Sequence, residues 1–300
     1  MIHVVDQKVA GLWPVGRLKP EVGGPLLRPA APDPGLREPY GACLAGRYLA
    51  VADAGHDRVA LIHRRTGGTT SITLSGTWLG PLKKPRGVAV TVAGTLVVAD
   101  TGNRRVIWST ATVAELVSAG EAASTWAAFG TASINGSRGI GDFLAPTGVA
   151  TDAAGRTWVA DPGLGRLVVV DDPSGAGWAE VALPPGPHGI PRQPHAVARE
   201  GDHVLLTDLS AGEVWQIDAD LTAHLLLEGR VKGRLTAPVA ICAEAAGFLV
   251  ADAVGARVVR WSRRRGGALR YAGELVARGR PSGAPVFSRV TGLAVSGGLR

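Results

Sequence analysis

Five times along the chain the same order of apolar and polar segments returns. Each copy starts at a proline, passes through small apolar residues, turns at a glycine, and enters an apolar run that stops at an aspartate. A short polar loop and a second apolar run follow. The copies are PYGACLAGRYLAVADAGHDRV from Pro39, PRGVAVTVAGTLVVADTGNRRV from Pro85, PTGVATDAAGRTWVADPGLGRL from Pro146, PHAVAREGDHVLLTDLSAGEV from Pro194 and PVAICAEAAGFLVADAVGARV from Pro238. Short apolar runs bounded by Gly, Pro, Asn and Asp predict strands joined by tight turns. The aligned aspartates, Asp53, Asp100, Asp161, Asp208 and Asp252, are 47, 61, 47 and 44 residues apart, the scale of a repeat architecture.

A sixth copy is divided between the two ends of the chain. VTGLAVSGG, Val290 to Gly298, supplies a first strand, and IHVVDQKVAGLW, Ile2 to Trp13, supplies the second and third with Asp6 as the sixth aspartate. A linear solenoid would end in polar caps. Halves that complete one another predict a closed ring.

The motif P-x-G-V-A…V-A-D-T-G-N-x-R-V, clearest from Pro85 to Val106, resembles the NHL repeat, and GSRGIGDFLAPTGVATD (Gly136 to Asp152) resembles a linker between two NHL blades. The resemblance runs over nearly the whole chain. It implies an all-β fold, a six-bladed β-propeller over residues 1–300 as one domain, with the closing blade built from both termini.

Composition agrees with this and narrows the function classes. Hydrophobic residues make up 46% and charged residues 19%, enough apolar material for a packed core and too much for disorder. No run approaches the roughly 20 apolar residues of a membrane helix. The start shows no basic segment followed by an apolar one, so no secretory signal is expected. Two cysteines, Cys43 and Cys242, are too few for a disulfide framework or a zinc ribbon. These features point to a cytoplasmic protein without a membrane partner, and arginine's excess over lysine to a GC-rich, bacterial genome. The net charge of +7 is uneven: Ala253 to Arg300 holds ten arginines and one acid, a net +9, which leaves −2 for the rest. A uniformly basic nucleic-acid coat would look different.

Residues common to every copy are read as structural. The aspartates should satisfy backbone N–H groups in the strand-connecting loop, in the manner of an Asx turn. The basic residue five positions on (Arg58, Arg105, Arg166, Arg257) should pack with them, although Glu213 takes that place in one copy. Trp13, Trp108, Trp215 and Trp261 recur on third strands and are assigned to the core between blades, ahead of a nucleic-acid stacking platform. Cys43 and Cys242 should be buried and too far apart to bond. The run Arg263-Arg264-Arg265 reads as a solvated hairpin, with an acidic docking partner as the alternative.

Function is sought where the copies differ. In a propeller the first strand lines the central channel, and the residue after the repeat's proline sits at its mouth. Round the ring that position reads Tyr40, Arg86, Thr147, His195, Val239 and Thr291. His195 would be the general base or a metal ligand, Tyr40 the proton donor or acceptor, and Arg86 the clamp for a carboxylate or phosphate. Thr147, Thr291, Val239 and the nearby His188 would contact substrate. Pro194-His195 resembles the peptidyl-hydroxyglycine amidating lyase, and streptogramin lyase is a further histidine-using propeller enzyme. The amidating-lyase resemblance implies three histidines on one zinc, but only His195 matches, so that site is not expected as such. A weaker divalent site (zinc or calcium) using His195, His188 and carboxylates stays open. His3, His63, His203 and His224 show no partner at metal-ligand spacing, and His56 should be solvated. Two functions therefore compete. One is a lyase or hydrolase acting on a small molecule or short peptide at the channel mouth. The other is a non-catalytic protein- or peptide-binding scaffold, with nucleic-acid binding through the basic last blade a less favoured third.

Overall fold

In the computed structural model, residues 2–6, 11–15, 35–132, 139–229, 235–275 and 290–295 are described. They form five four-stranded antiparallel sheets, each built from consecutive strands. The first blade is Pro39–Ala45, Tyr48–Asp53, Arg58–His63 and Thr69–Ile72. The second is Gly87–Val90, Thr95–Asp100, Arg105–Thr112 and Trp126–Phe129. The third is Gly148–Thr151, Thr157–Asp161, Arg166–Val170 and Ala179–Glu180, and the fourth Pro194–Glu200, His203–Asp208, Glu213–Ile217 and Ala223–Leu227. The fifth is Pro238–Glu244, Gly247–Asp252, Arg257–Arg263 and Leu269–Leu275.

The two ends of the chain meet in a further sheet. Val290–Val295 pairs with Ile2–Asp6, which pairs with Gly11–Val15. The expected six four-stranded blades are thus met by five, and this terminal sheet has three strands among the described residues. First strands of successive blades touch one another in turn, and Val290–Val295 touches both the fifth blade's first strand and the first blade's. The strands radiate from a central channel, and the fold is an all-β propeller.

The core lies between blades. One apolar cluster joins Leu61 and Ile72 of the first blade to Leu96 and Ile107 of the second. Equivalent clusters join the second to the third, the third to the fourth, and the fourth to the fifth. Another joins Leu49 and Val51 to Ala294 of the terminal sheet. Both faces of a second strand are therefore covered, which is why LVVAD and FLVAD are continuous apolar runs without alternation. Each fully buried Val or Leu contributes about 1.5–3 kcal/mol. Trp108, Trp215 and Trp261 belong to these clusters. The side chains of Asp6 and Trp13 lie outside the described residues, as do Gly136 to Arg138.

The repeated aspartates are fully buried, and their main partners differ from those expected. They accept from the segment leading into their own blade's first strand. Arg37 N donates to Asp53 Oδ1 at 2.6 Å and Lys83 N to Asp100 Oδ1 at 2.7 Å. Ala145 N and Ala237 N reach Asp161 and Asp252 in the same way. Loop N–H groups join in only at Asp208 and Asp252. In the first, second and fifth blades the arginine five positions on completes the cluster, with Arg58 Nε and Arg105 Nε each 2.7 Å from their aspartates. In the third, Arg166 donates to Glu180 and to the Asp142 carbonyl. Glu213 also finds its explanation. In the fourth blade Arg192, from the incoming segment, donates to Asp208 at 3.1 Å and to Glu213, so cation and carboxylate have changed places.

Two features escaped the strand pattern. A short helix, Val113–Ala119, interrupts the second blade between its third and outer strands. Its start is a capping box, Thr112 accepting from Glu115 N while Glu115 accepts from Thr112 N. Of the run assigned to a solvated hairpin, Arg263 is the residue that departs. Arg257, Arg260 and Arg263 belong to the fifth blade and pair with Asp252 and Glu274, Glu244, and Glu200. Only Arg264 and Arg265 occupy the exposed turn.

Two stability measurements follow from this packing. A Cβ on Gly87 would stand 2.1 Å from the Thr147 carbonyl oxygen, so Gly87→Ala should destabilise by about 1–3 kcal/mol or more in urea unfolding. Glu213→Arg should cost about 3–5 kcal/mol by facing Arg192 with a second cation, and adding Arg192→Gln should restore over half of that loss.

Candidate functional site

The aspartate cluster fixes where each first strand begins, and with it the residue after the proline. The six residues at that position, Tyr40, Arg86, Thr147, His195, Val239 and Thr291, all line one cavity of about 60 Å³ at the end of the channel. Glycines at the next position let neighbouring strands approach, and Gly41 N donates to Arg86 O at 2.8 Å. The six positions therefore face one common space. His188 does not join them. It lies outside the cavity in the turn Pro187–Gly189, exposed and with φ of 55°.

Within the cavity most donors are already committed across blade boundaries. Thr147 Oγ1 donates to His195 O at 2.8 Å, and Thr291 Oγ1 donates to Pro39 O at 2.7 Å. Their hydroxyl protons stitch the ring, and only oxygen lone pairs are left toward a ligand. Val239 contributes an apolar side chain and a carbonyl that is also taken. His195 Nδ1 sits 3.1 Å from Val239 O. A carbonyl can only accept, so Nδ1 carries the proton and Nε2 holds the lone pair. Nε2 has no partner among the described residues. The ring is half-buried by surface area, yet walled in by protein. Burial pushes its pKa down to about 4 against the bond to Val239, and the charge of Arg86 adds to the lowering. His195 is a neutral imidazole at physiological pH.

Arg86 stacks on Tyr40, its guanidinium carbon 4.8 Å from the ring centroid. It forms no ion pair among the described residues, and no Asp or Glu lines the cavity. This decides the metal reading. A zinc or calcium ion needs three or more N, O or S ligands, and here one imidazole stands beside a cation. No group of three His, Cys, Asp or Glu able to hold a metal exists among the described residues. His195 as a metal ligand, alone or with His188, does not fit this donor set.

Other assignments change in detail. His56 is exposed, as expected, and also lies 2.9 Å from Asp53. His203 and His224, read as lacking partners, approach the two oxygens of Asp218 at 3.0 and 3.1 Å. Cys43 and Cys242 are free and half-buried. Burial, with repulsion from Cys242 second, pushes the Cys43 thiol up to about 12. No helix among the described residues is long and apolar enough to cross a membrane.

The radial sheets and the cavity they share define the class, a β-propeller. Residues 82–108 match the family model described as NHL repeat. Among solved structures it is similar to a chain of the nidogen/laminin complex, with a TM-score of 0.70 at 12% identity over 98% of this chain and 97% of that one. It is also similar to virginiamycin B lyase from Staphylococcus aureus, with a TM-score of 0.57 at 14% identity over 86% and 75%. A streptogramin B lyase structure gives 0.54 at 12% identity over 77% and 67%. At these identities the likeness concerns the fold. No curated protein matches the sequence.

The position of His195 has a measurable consequence. The unfolded imidazole takes up a proton near pH 6.5, whereas the folded one does so only at about 4. Between these values the unfolded state binds more protons, so stability falls as pH drops through the window. Replacing His195 with Gln should make that fall shallower in urea midpoints measured from pH 6.5 to 4. Equal slopes in the two proteins would show that the imidazole is solvated.

Proposed function

We propose that this propeller, with the terminal sheet as its sixth blade, binds a small molecule or short peptide at the mouth of its channel and acts on it as a lyase or hydrolase. The observation that carries the reading is the neutral imidazole of His195. Its Nδ1 is fixed by Val239 O, and its Nε2 stands unpartnered in the same cavity as Tyr40 and Arg86. A base must hold a lone pair, a fixed tautomer and a route to substrate, and Nε2 has all three. Tyr40 would relay the proton as acid or base. Arg86 would bind the ligand and stabilise negative charge that develops on it. The low pKa makes His195 a weak base in the free protein, and ligand charge at the mouth would raise it. Virginiamycin B lyase, with the same fold, has been crystallised with quinupristin as a catalytically inactive histidine-to-alanine variant.

A second reading, a protein-binding scaffold, draws on exposed apolar side chains. Trp78 is 82% exposed, and Ile140, Ile190 and Val254 are exposed with it. All four project from inter-blade connectors or second-to-third-strand loops, which the strand order places on the mouth face. The nidogen/laminin likeness is consistent with a propeller used for assembly.

A thermal-shift screen of small molecules and short peptides separates the two. On the enzyme reading, a ligand that raises Tm loses its effect in His195→Ala and weakens in Tyr40→Phe, while the unliganded variant gives up only the Val239 bond, about 1 kcal/mol. A partner protein whose binding is abolished by Trp78→Ser and untouched by His195→Ala would transfer the function to the loops.

A further inference from the structure

Among the described residues, most arginines withdrawn from solvent are answered by a carboxylate. Arg58, Arg105, Arg192 and Arg257 meet the buried aspartates, and Arg260 and Arg263 meet Glu244 and Glu200. Arg86 is as withdrawn from solvent as several of these, and among the described residues no acid faces it. What faces it is the ring of Tyr40, which holds the guanidinium plane without neutralising it. The remaining polar groups of the cavity do not compensate either. The protons of Thr147, Thr291 and His195 Nδ1 are given to backbone carbonyls of the adjoining blade or sheet. A half-enclosed cation with five N–H donors and no counter-charge is an anion site waiting for its anion.

Resting on the channel-mouth reading, we propose that the ligand presents an oxyanion, a carboxylate or a phosphate, to Arg86. The cavity, about 60 Å³ and walled by the first strands, has room for such a headgroup. The rest of the ligand therefore extends toward the mouth-face loops. Stacking on Tyr40 keeps the guanidinium plane in one orientation, which favours two parallel hydrogen bonds to the headgroup.

Three probes test this on the whole protein at constant ionic strength: N-acetylglycine, its neutral amide, and inorganic phosphate, each titrated while NMR follows the arginine Nε–H signals. At least one anion should bind about ten-fold more tightly than the amide. The tighter of the two anions names the source, a terminal carboxylate or a phosphate ester. Arg86→Gln should erase the preference, Arg86→Lys should keep part of it, and Arg264→Gln, in the exposed turn, should leave it intact. The proposal is overturned if neither anion binds at tens of millimolar, if amide and acid bind alike, or if folded Arg86→Gln keeps the preference. A neutral ligand lost in His195→Ala from a protein indifferent to both anions would discard the oxyanion and leave the mouth as the site.

Discussion

A buried carboxylate at the end of each second strand is the constraint on which the rest depends. Asp53, Asp100, Asp161, Asp208 and Asp252 have no contact with solvent, and a bare carboxylate there would be costly. Each is satisfied by backbone N–H groups from the segment entering the same blade, one or two residues before its proline. The bond therefore locates the start of the first strand. The proline ends the incoming segment, and the next side chain is delivered to the channel mouth. Tyr40, Arg86, Thr147, His195 and Val239 share a cavity because five aspartates hold the chain at one register.

Stitching between blades then decides which of those groups stay available. Gly41 N to Arg86 O, Thr147 to His195 O, His195 to Val239 O and Thr291 to Pro39 O run in the same sense round the ring. Four of the six junctions round the mouth are thus tied to the next strand. Ring closure and site chemistry compete for the same donors, and closure takes most of them. What survives is a guanidinium, a phenol and one imidazole nitrogen. They belong to the first, second and fourth blades, so the chemistry is one-sided in a scaffold that is nearly symmetric.

Much of this was legible in the sequence, for a physical reason. Turn glycines, the strand-ending aspartates and the entry prolines are demanded by backbone geometry and leave the same mark in every copy. Pairing of the terminal strands and the six mouth positions follow from register alone. What could not be read depends on side chains meeting across copies. Glu213 looked like an exception because its partner Arg192 comes from the incoming segment, twenty-one residues earlier. The stack of Arg86 on Tyr40 joins different blades. The helix Val113–Ala119 was legible in Thr112 and Glu115, whose capping signature was hidden by the apolar strand pattern around it. The threonines carry a further cross-blade contact that the sequence hides: each hydroxyl proton goes to a carbonyl of the next blade, which leaves only oxygen lone pairs toward the channel.

The pairing of a neutral histidine with an unneutralised arginine bears on which chemistry the mouth could support. A metal would need anionic or additional imidazole ligands, and its charge would be opposed by Arg86. An oxyanion reverses both conditions. It neutralises Arg86, and by doing so removes the repulsion that helps to hold His195 deprotonated at low pH. Proton affinity at Nε2 would then rise when the ligand arrives, making the imidazole a better base in the complex than in the free protein. Binding and basicity would be coupled through two residues in different blades, held at their separation by the aspartates beneath them.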